Sequence, residues 1–134
     1  MWRILIVDDD STTRTLVKEI LKTRAVCTEA HNGMEALELY NQSIVSNEPF
    51  DCMLLDIMMP DIYGLEVSRI IRKREAFEHI QKEDRLPIIL ITAYTQLFKA
   101  MFEDNLCNGY VKKPFTAEHL IATMDKAIAP EKEG

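Results

Sequence analysis

Five short apolar runs alternate along the chain with five stretches whose apolar residues recur every three or four positions. The runs cover residues 4–7, 25–28, 52–55, 88–91 and 110–111. Ile4, Leu5, Ile6 and Val7 are apolar on successive positions rather than on alternate ones, the pattern of a strand buried on both faces. The intervening stretches carry Leu16, Val17, Ile20 and Leu21, then Ala36, Leu37, Tyr40 and Ile44, then Val67, Ile70 and Ile71. The last two carry Leu97, Phe98, Met101 and Phe102, and Leu120, Ile121, Met124 and Ile128. Spacings of three and four gather each set mainly on one helical face. Five strand–helix units in series predict an α/β fold, a doubly wound five-stranded parallel sheet with helices on both sides. End signals agree. Asp10 and Ser11 suit the start of the first helix, and Thr116 suits an N-cap for the last, with Glu118 in its first turn. Asn105 suits a left-handed stop after the fourth.

Residues 72–85 break the alternation, since nine of these fourteen are charged and only Phe77 and Ile80 among them are large and apolar. This reads as the third helix running past the sheet edge into solvent, followed by a loop into Leu86-Pro87. The 134 residues suit one domain over residues 1–129, and residues 130–134 read as a disordered tail, a linker or a cloning remnant. A net charge of −6 disfavours a dedicated nucleic-acid surface. No apolar run approaches the roughly 20 residues that cross a bilayer, and no secretory signal pattern opens the chain. Cys27, Cys52 and Cys107 lie far apart in apolar surroundings and read as free buried thiols of a reducing cytoplasm. His31, His79 and His119 lack ligand-like spacing and read as surface residues.

Chemistry gathers where the strands end. The first run passes directly into Asp8-Asp9-Asp10, three carboxylates that repel one another unless solvated or neutralised by a cation. The third run ends at Asp56, the fourth at Thr92, and the fifth reaches Lys113 just before Pro114. In a doubly wound sheet the carboxyl ends of the strands share one edge, where ligands bind. Acids, a hydroxyl and an ammonium in one cleft suit phosphoryl chemistry: hard oxygens for Mg²⁺, a carboxylate nucleophile, and Lys and Thr for phosphoryl oxygens.

These residues also carry a resemblance. The segments Ile4-Leu5-Ile6-Val7-Asp8-Asp9-Asp10-Ser11, Asn32-Gly33-Met34-Glu35-Ala36-Leu37 and Leu55-Asp56-Ile57-Met58-Met59-Pro60 open the match. Asp61-Ile62-Tyr63-Gly64, Ile91-Thr92-Ala93 and Gly109-Tyr110-Val111-Lys112-Lys113-Pro114-Phe115 complete it. Together they resemble the response-regulator receiver domain of two-component signalling over nearly the whole chain. The resemblance implies a flavodoxin-like strand order 2-1-3-4-5 and Asp56 as the phosphorylated aspartate. It implies Mg²⁺ (with Mn²⁺ as a substitute) on Asp9, Asp8, Asp56 and the backbone carbonyl of Met58. It further implies that Lys113 pairs with Asp56 and then with the phosphoryl group, that Thr92 and Tyr110 form a switch, and that the Lys113–Pro114 bond is cis. The implied partners are a histidine kinase or histidine phosphotransfer protein and a downstream effector or output domain.

A rival reading belongs to another class. Asp8-Asp9-Asp10-Ser11-Thr12 fits the D-x-D-x-T signature of haloacid-dehalogenase-type phosphatases, with Asp8 as nucleophile and Asp10 as general acid. Such enzymes need an acidic pair after the lysine strand, whereas Glu118, Asp125, Glu131 and Glu133 fall at helix or tail positions, and Asp56 would have no role. A flavin binder fits less well, because the first loop is acidic where a phosphate needs donors. Two features bear on behaviour. Met58 and Tyr94 stand at the family positions that shape access of hydrolytic water, so slow self-dephosphorylation is expected. The apolar excess of the fourth helix points to a phosphorylation-dependent contact through Phe98 or Phe102, with a homodimer as one form of it.

Overall fold

The computed structural model describes residues 1–129; the predicted tail lies outside the described residues. The elements are β1 (Trp2–Val7), α1 (Ser11–Leu21), β2 (Ala25–Ala30), α2 (Gly33–Val45), β3 (Cys52–Leu55) and α3 (Gly64–Phe77). A 3₁₀ turn (Lys82–Asp84), β4 (Ile88–Thr92), α4 (Phe98–Glu103), β5 (Gly109–Lys112) and α5 (Ala117–Ile128) follow. All neighbouring strands are parallel, in the order β2-β1-β3-β4-β5, as the sequence led one to expect. The strand order reverses between β1 and β3, and the crevice above their carboxyl ends is the expected ligand position in such sheets.

Alternation along the strands divides the core into two layers. Leu5, Val7, Met53, Leu55, Ile88 and Leu90 face one layer with Ala36, Val67, Ile71 and Met101. Ile4, Ile6, Cys52, Leu54, Ile89, Ile91 and Val111 face the other with Val17, Leu21, Leu120 and Met124. Both faces of β1, β3 and β4 are therefore covered, which is why their sequences show unbroken apolar runs.

Several boundaries shift. β2 runs two residues past the expected stretch and β5 gains one at each end, because main-chain pairing with β1 and β4 extends strands beyond their apolar positions. α4 is only six residues long, and Asn105 beyond it has φ 60°, the left-handed stop expected there. Asp10 and Thr116 cap α1 and α5, accepting from the Thr12 and His119 N–H groups at 2.9 and 3.1 Å. Cys52 and Cys107 are buried, but Cys27 on the edge strand β2 is only half-buried. Burial raises the Cys52 and Cys107 thiols above their ordinary pKa, Cys107 to about 11. Among the described residues no helix is long and apolar enough to cross a membrane.

The charged stretch corrects a sequence reading. Its outer residues are solvated as expected, but Glu75 is buried and its partner Arg72 nearly so. Both face inward because α3 still packs on the sheet at this point, which puts two charges of the run on its buried side.

Candidate functional site

Strand register decides which strand ends meet. Val7 pairs with Leu55 and Leu55 with Leu90, so Asp8 and Asp56 leave adjacent strands at the same level. The Asp56 N–H continues the ladder onto the Val7 carbonyl at 3.0 Å, and the Asp8 N–H does so onto Ala30 at 3.1 Å. Thr92 closes β4 and its carbonyl accepts from the Lys113 N–H at 3.0 Å, which puts Lys113 just beyond β5 on the same edge. The Lys113–Pro114 bond is cis.

The Lys113 ammonium donates to Asp8 Oδ2 at 2.7 Å and to Asp56 Oδ2 at 3.0 Å. The remaining oxygens are held by main chain. Asp8 Oδ1 accepts from the Asp10 N–H at 2.9 Å, and Asp56 Oδ1 accepts from the Met58 N–H at 3.1 Å. Both side chains are buried, while Asp9 beside them is exposed. One carboxylate oxygen from each of Asp8, Asp9 and Asp56 lies within 4.8 Å of the others. Three hard oxygen donors facing one ammonium leave an excess of negative charge, so the residues present fit a small divalent cation such as Mg²⁺.

Burial raises the Asp8 carboxyl above its ordinary range. Lys113 and the Asp10 N–H pull the other way without cancelling it, and the charge of Asp56 adds to the rise. For Lys113, burial alone would lower the pKa, but hydrogen bonds and charge from both carboxylates outweigh it and hold the ammonium above the usual lysine value.

Other expected site residues surround this centre. Thr92 is buried, and its hydroxyl oxygen accepts from the Tyr94 N–H at 3.1 Å. Met58 and Tyr94 are exposed and line one pocket of about 260 Å³ with Ile57, Tyr63 and Leu97. Tyr110 is 43% exposed. Its ring stacks on Phe98 at 4.5 Å and meets Phe102 edge-on at 6.3 Å. Phe98 is buried, so of the two aromatics expected at a partner contact only Phe102 is free to make one. Asp10 accepts from the Thr12 N–H with one oxygen and from the Thr13 hydroxyl with the other, at the start of α1.

Comparison with known proteins decides the family. The profile of the response regulator receiver domain matches residues 4–125. The chain belongs to this family. Among curated relatives, the response regulator MprA of Mycobacterium ulcerans is 38% identical over 124 residues, covering 91% of this chain and 48% of that protein. The chain thus spans about half the length of the curated relatives it matches. Among solved structures, the response regulator TrrA of Thermotoga maritima, in complex with Mg²⁺ and a beryllium fluoride, is 35% identical. It superposes with a TM-score of 0.73 over 95% of this chain and 99% of its own. The chemotaxis protein CheY4 of Vibrio cholerae is 26% identical, with a TM-score of 0.77 over 95% and 98% of the two chains.

Two residues of this receiver domain that sequence reasoning passed over support the centre. Arg14 donates through Nη1 to the Asp8 carbonyl at 2.6 Å and through Nε to Glu29 at 3.2 Å, where Lys18 also binds at 3.1 Å. Asp61 accepts from the Gly33 and Met34 N–H groups at 3.0 and 2.9 Å. Arg14 carried a faint signal, lying one helical turn after the acidic run. Asp61 carried none beyond its place after Pro60, because its partners are backbone groups 27 and 28 residues away.

Proposed function

We propose that residues 1–129 form a phosphoacceptor switch in which Asp56 takes a phosphoryl group from the phosphohistidine of a histidine kinase or histidine phosphotransfer protein. The supporting observation is the single ammonium of Lys113 shared between Asp8 and Asp56, with Asp9 alongside. Asp8, Asp9 and Asp56, with the Met58 carbonyl, would hold Mg²⁺ (or Mn²⁺), which offsets carboxylate charge against the incoming phosphoryl group. An Asp56 oxygen attacks phosphorus, the phosphorus–nitrogen bond breaks, and imidazole leaves with the bond's electron pair. Lys113 then has a phosphoryl oxygen to hold in place of the free carboxylate, while Thr92 supplies a hydroxyl for another. The acyl phosphate adds one to two negative charges at this edge.

Drawing Thr92 inward would open space for Tyr110, which sits on Phe98 at 4.5 Å, and so alter the face formed by α4, β5 and α5. That face is proposed to bind a downstream effector or output domain, within a cytoplasmic setting. Phe102 also makes it a candidate for a phosphorylation-dependent homodimer; a monomer at all concentrations with beryllofluoride and Mg²⁺ removes the dimer from this reading.

The deciding experiment is labelling by acetyl phosphate and Mg²⁺. Asp56→Asn is expected to abolish the base-labile phosphoryl group, whereas Asp8→Asn leaves part of it. Mass spectrometry that places the group on Asp8 would sink the reading and favour the phosphatase.

A further inference from the structure

The segment between β3 and α3, residues 57–63, carries the Met58 carbonyl and borders Asp56, yet it has no secondary structure of its own. Besides the Met58 N–H on Asp56 Oδ1, three contacts fasten it. The Ile57 carbonyl accepts from the Gly64 N–H at 2.9 Å. Met59 is buried in the core. Asp61, itself exposed, sends both carboxylate oxygens onto the first two N–H groups of α2, those of Gly33 and Met34. The first two fastenings lie on either side of Met58, and the third holds the outer half of the loop to a separate helix.

Two glycines allow that closeness. A Cβ on Gly33 would lie 2.8 Å from Ile62 Cβ and 3.0 Å from the Ile62 carbonyl oxygen, so α2 reaches this loop only because residue 33 lacks a side chain. A Cβ on Gly64 would lie 2.4 Å from the Asp56 carbonyl oxygen, so α3 starts directly against the backbone of the acidic centre. The loop is thus wedged between two helix starts, with Asp61 supplying the polar bonds to one of them.

We propose that Asp61 is a positioning residue for the cation site: it fixes residues 57–61 against α2, so that the Met58 carbonyl and the Asp56 carboxylate are in place before an ion arrives. The proposal rests on the reading of Asp8, Asp9, Asp56 and Met58 as the cation ligands. A ligand loop that must be ordered by the ion binds it more weakly than one held beforehand, and outer-shell partners of metal ligands carry affinity for that reason. Asp61 does not touch the acids of the centre; its bonds go to α2.

The test is a titration of the whole chain with MgCl₂ alone, followed by amide chemical shifts, for the wild type, Asp61→Ala, Asp61→Asn and Asn32→Ala. Asn32 accepts from the Glu35 N–H at 2.8 Å, so its removal weakens the same helix start without releasing the loop. Asp61→Ala is expected to weaken Mg²⁺ binding about tenfold. Asp61→Asn, which keeps one acceptor, should fall between it and the wild type, and Asn32→Ala should bind as the wild type does. Amide exchange at Gly33 and Met34 should quicken in Asp61→Ala while the strands stay protected. A weaker Mg²⁺ affinity in Asp61→Ala without quicker exchange at Gly33 and Met34 would mark a lost charge rather than a lost fastening and overturn the proposal. Wild-type affinity in Asp61→Ala, or an equal loss in Asn32→Ala, would overturn it too. A wild type without any Mg²⁺-dependent shift overturns the cation reading itself, an outcome distinguishable because it precedes every comparison among variants.

Discussion

Two charged clusters lie beyond opposite ends of β4, and their bookkeeping differs. At the amino end, Arg72 and Glu75 pair one to one at 2.7 Å. Arg72 also donates to the carbonyls of Asn105 at 2.8 Å and Leu86 at 2.9 Å, and to Asn108 Oδ1 at 2.9 Å. The second Glu75 oxygen accepts from the Leu86 N–H at 2.7 Å. Charge is balanced and the buried groups are satisfied, so this cluster fastens α3 to the segments entering β4 and β5. At the carboxyl end, one ammonium serves two buried carboxylates with a third beside them. Burial of ions is common to both. Imbalance belongs to the second alone, and it marks the place that needs something from outside.

The same chemical change should therefore act with opposite sign at the two ends. Glu75→Gln leaves Arg72 without a counter-charge and turns an amide N–H₂ toward a donor, either Arg72 or the Leu86 N–H. A loss of about 3 kcal/mol is expected in urea unfolding. Asp8→Asn removes one of the crowded carboxylates while Lys113 keeps Asp56. Without divalent ions it should stabilise the fold by about 0.5–2 kcal/mol, the usual size of relief at a functional site. Its pH dependence follows from the raised Asp8 pKa. The folded state holds that proton more tightly than the unfolded chain, whose value is near 3.8. The stability this group contributes is complete below that value and is lost as pH rises through the raised one. The advantage of Asp8→Asn should then grow across that window and flatten above it. Mg²⁺ should shrink it by stabilising only the wild type. A destabilised Asp8→Asn in metal-free buffer would break the comparison.

The balanced cluster is the part least legible in the sequence. Residues 72–85 look uniformly solvated because a run of charges does not say which members face inward; that depends on how far α3 stays on the sheet. Arg72 finds partners at 86, 105 and 108, beyond the reach of any local pattern. The unbalanced centre was legible because each member sits at the end of an apolar run, so strand register alone brings Asp8, Asp56, Thr92 and Lys113 to one edge. The fold was legible for the same reason, down to Asp10, Asn105 and Thr116 at the helix ends. Cys27 was misjudged because an apolar position on the edge strand β2 is less completely covered than one on β1, β3 or β4. Composition does not encode that.

A finer contrast concerns water. The Arg72 cluster uses its donors and acceptors on protein groups, whereas the acidic centre has an apolar rim formed by Met58, Tyr63, Tyr94 and Leu97. Hydrolysis of an acyl phosphate on Asp56 needs a water in line with the carboxylate oxygen, held by a hydrogen-bonding group. Neither Met58 nor the ring face of Tyr94 offers one, and the phosphoryl group is expected to be long-lived for that reason. Met58→Asn and Tyr94→Glu each introduce such a group at the rim without touching Asp8, Lys113 or the core. Each should shorten the lifetime of the phosphorylated domain by about three- to tenfold, a barrier change of about 1 kcal/mol, as read from decay of the labelled protein after the phosphodonor is removed. The two changes act on the same water, so the double variant should decay less quickly than the product of the single effects requires. Unchanged lifetimes in both single variants would place control of hydrolysis inside the acidic centre rather than at its rim.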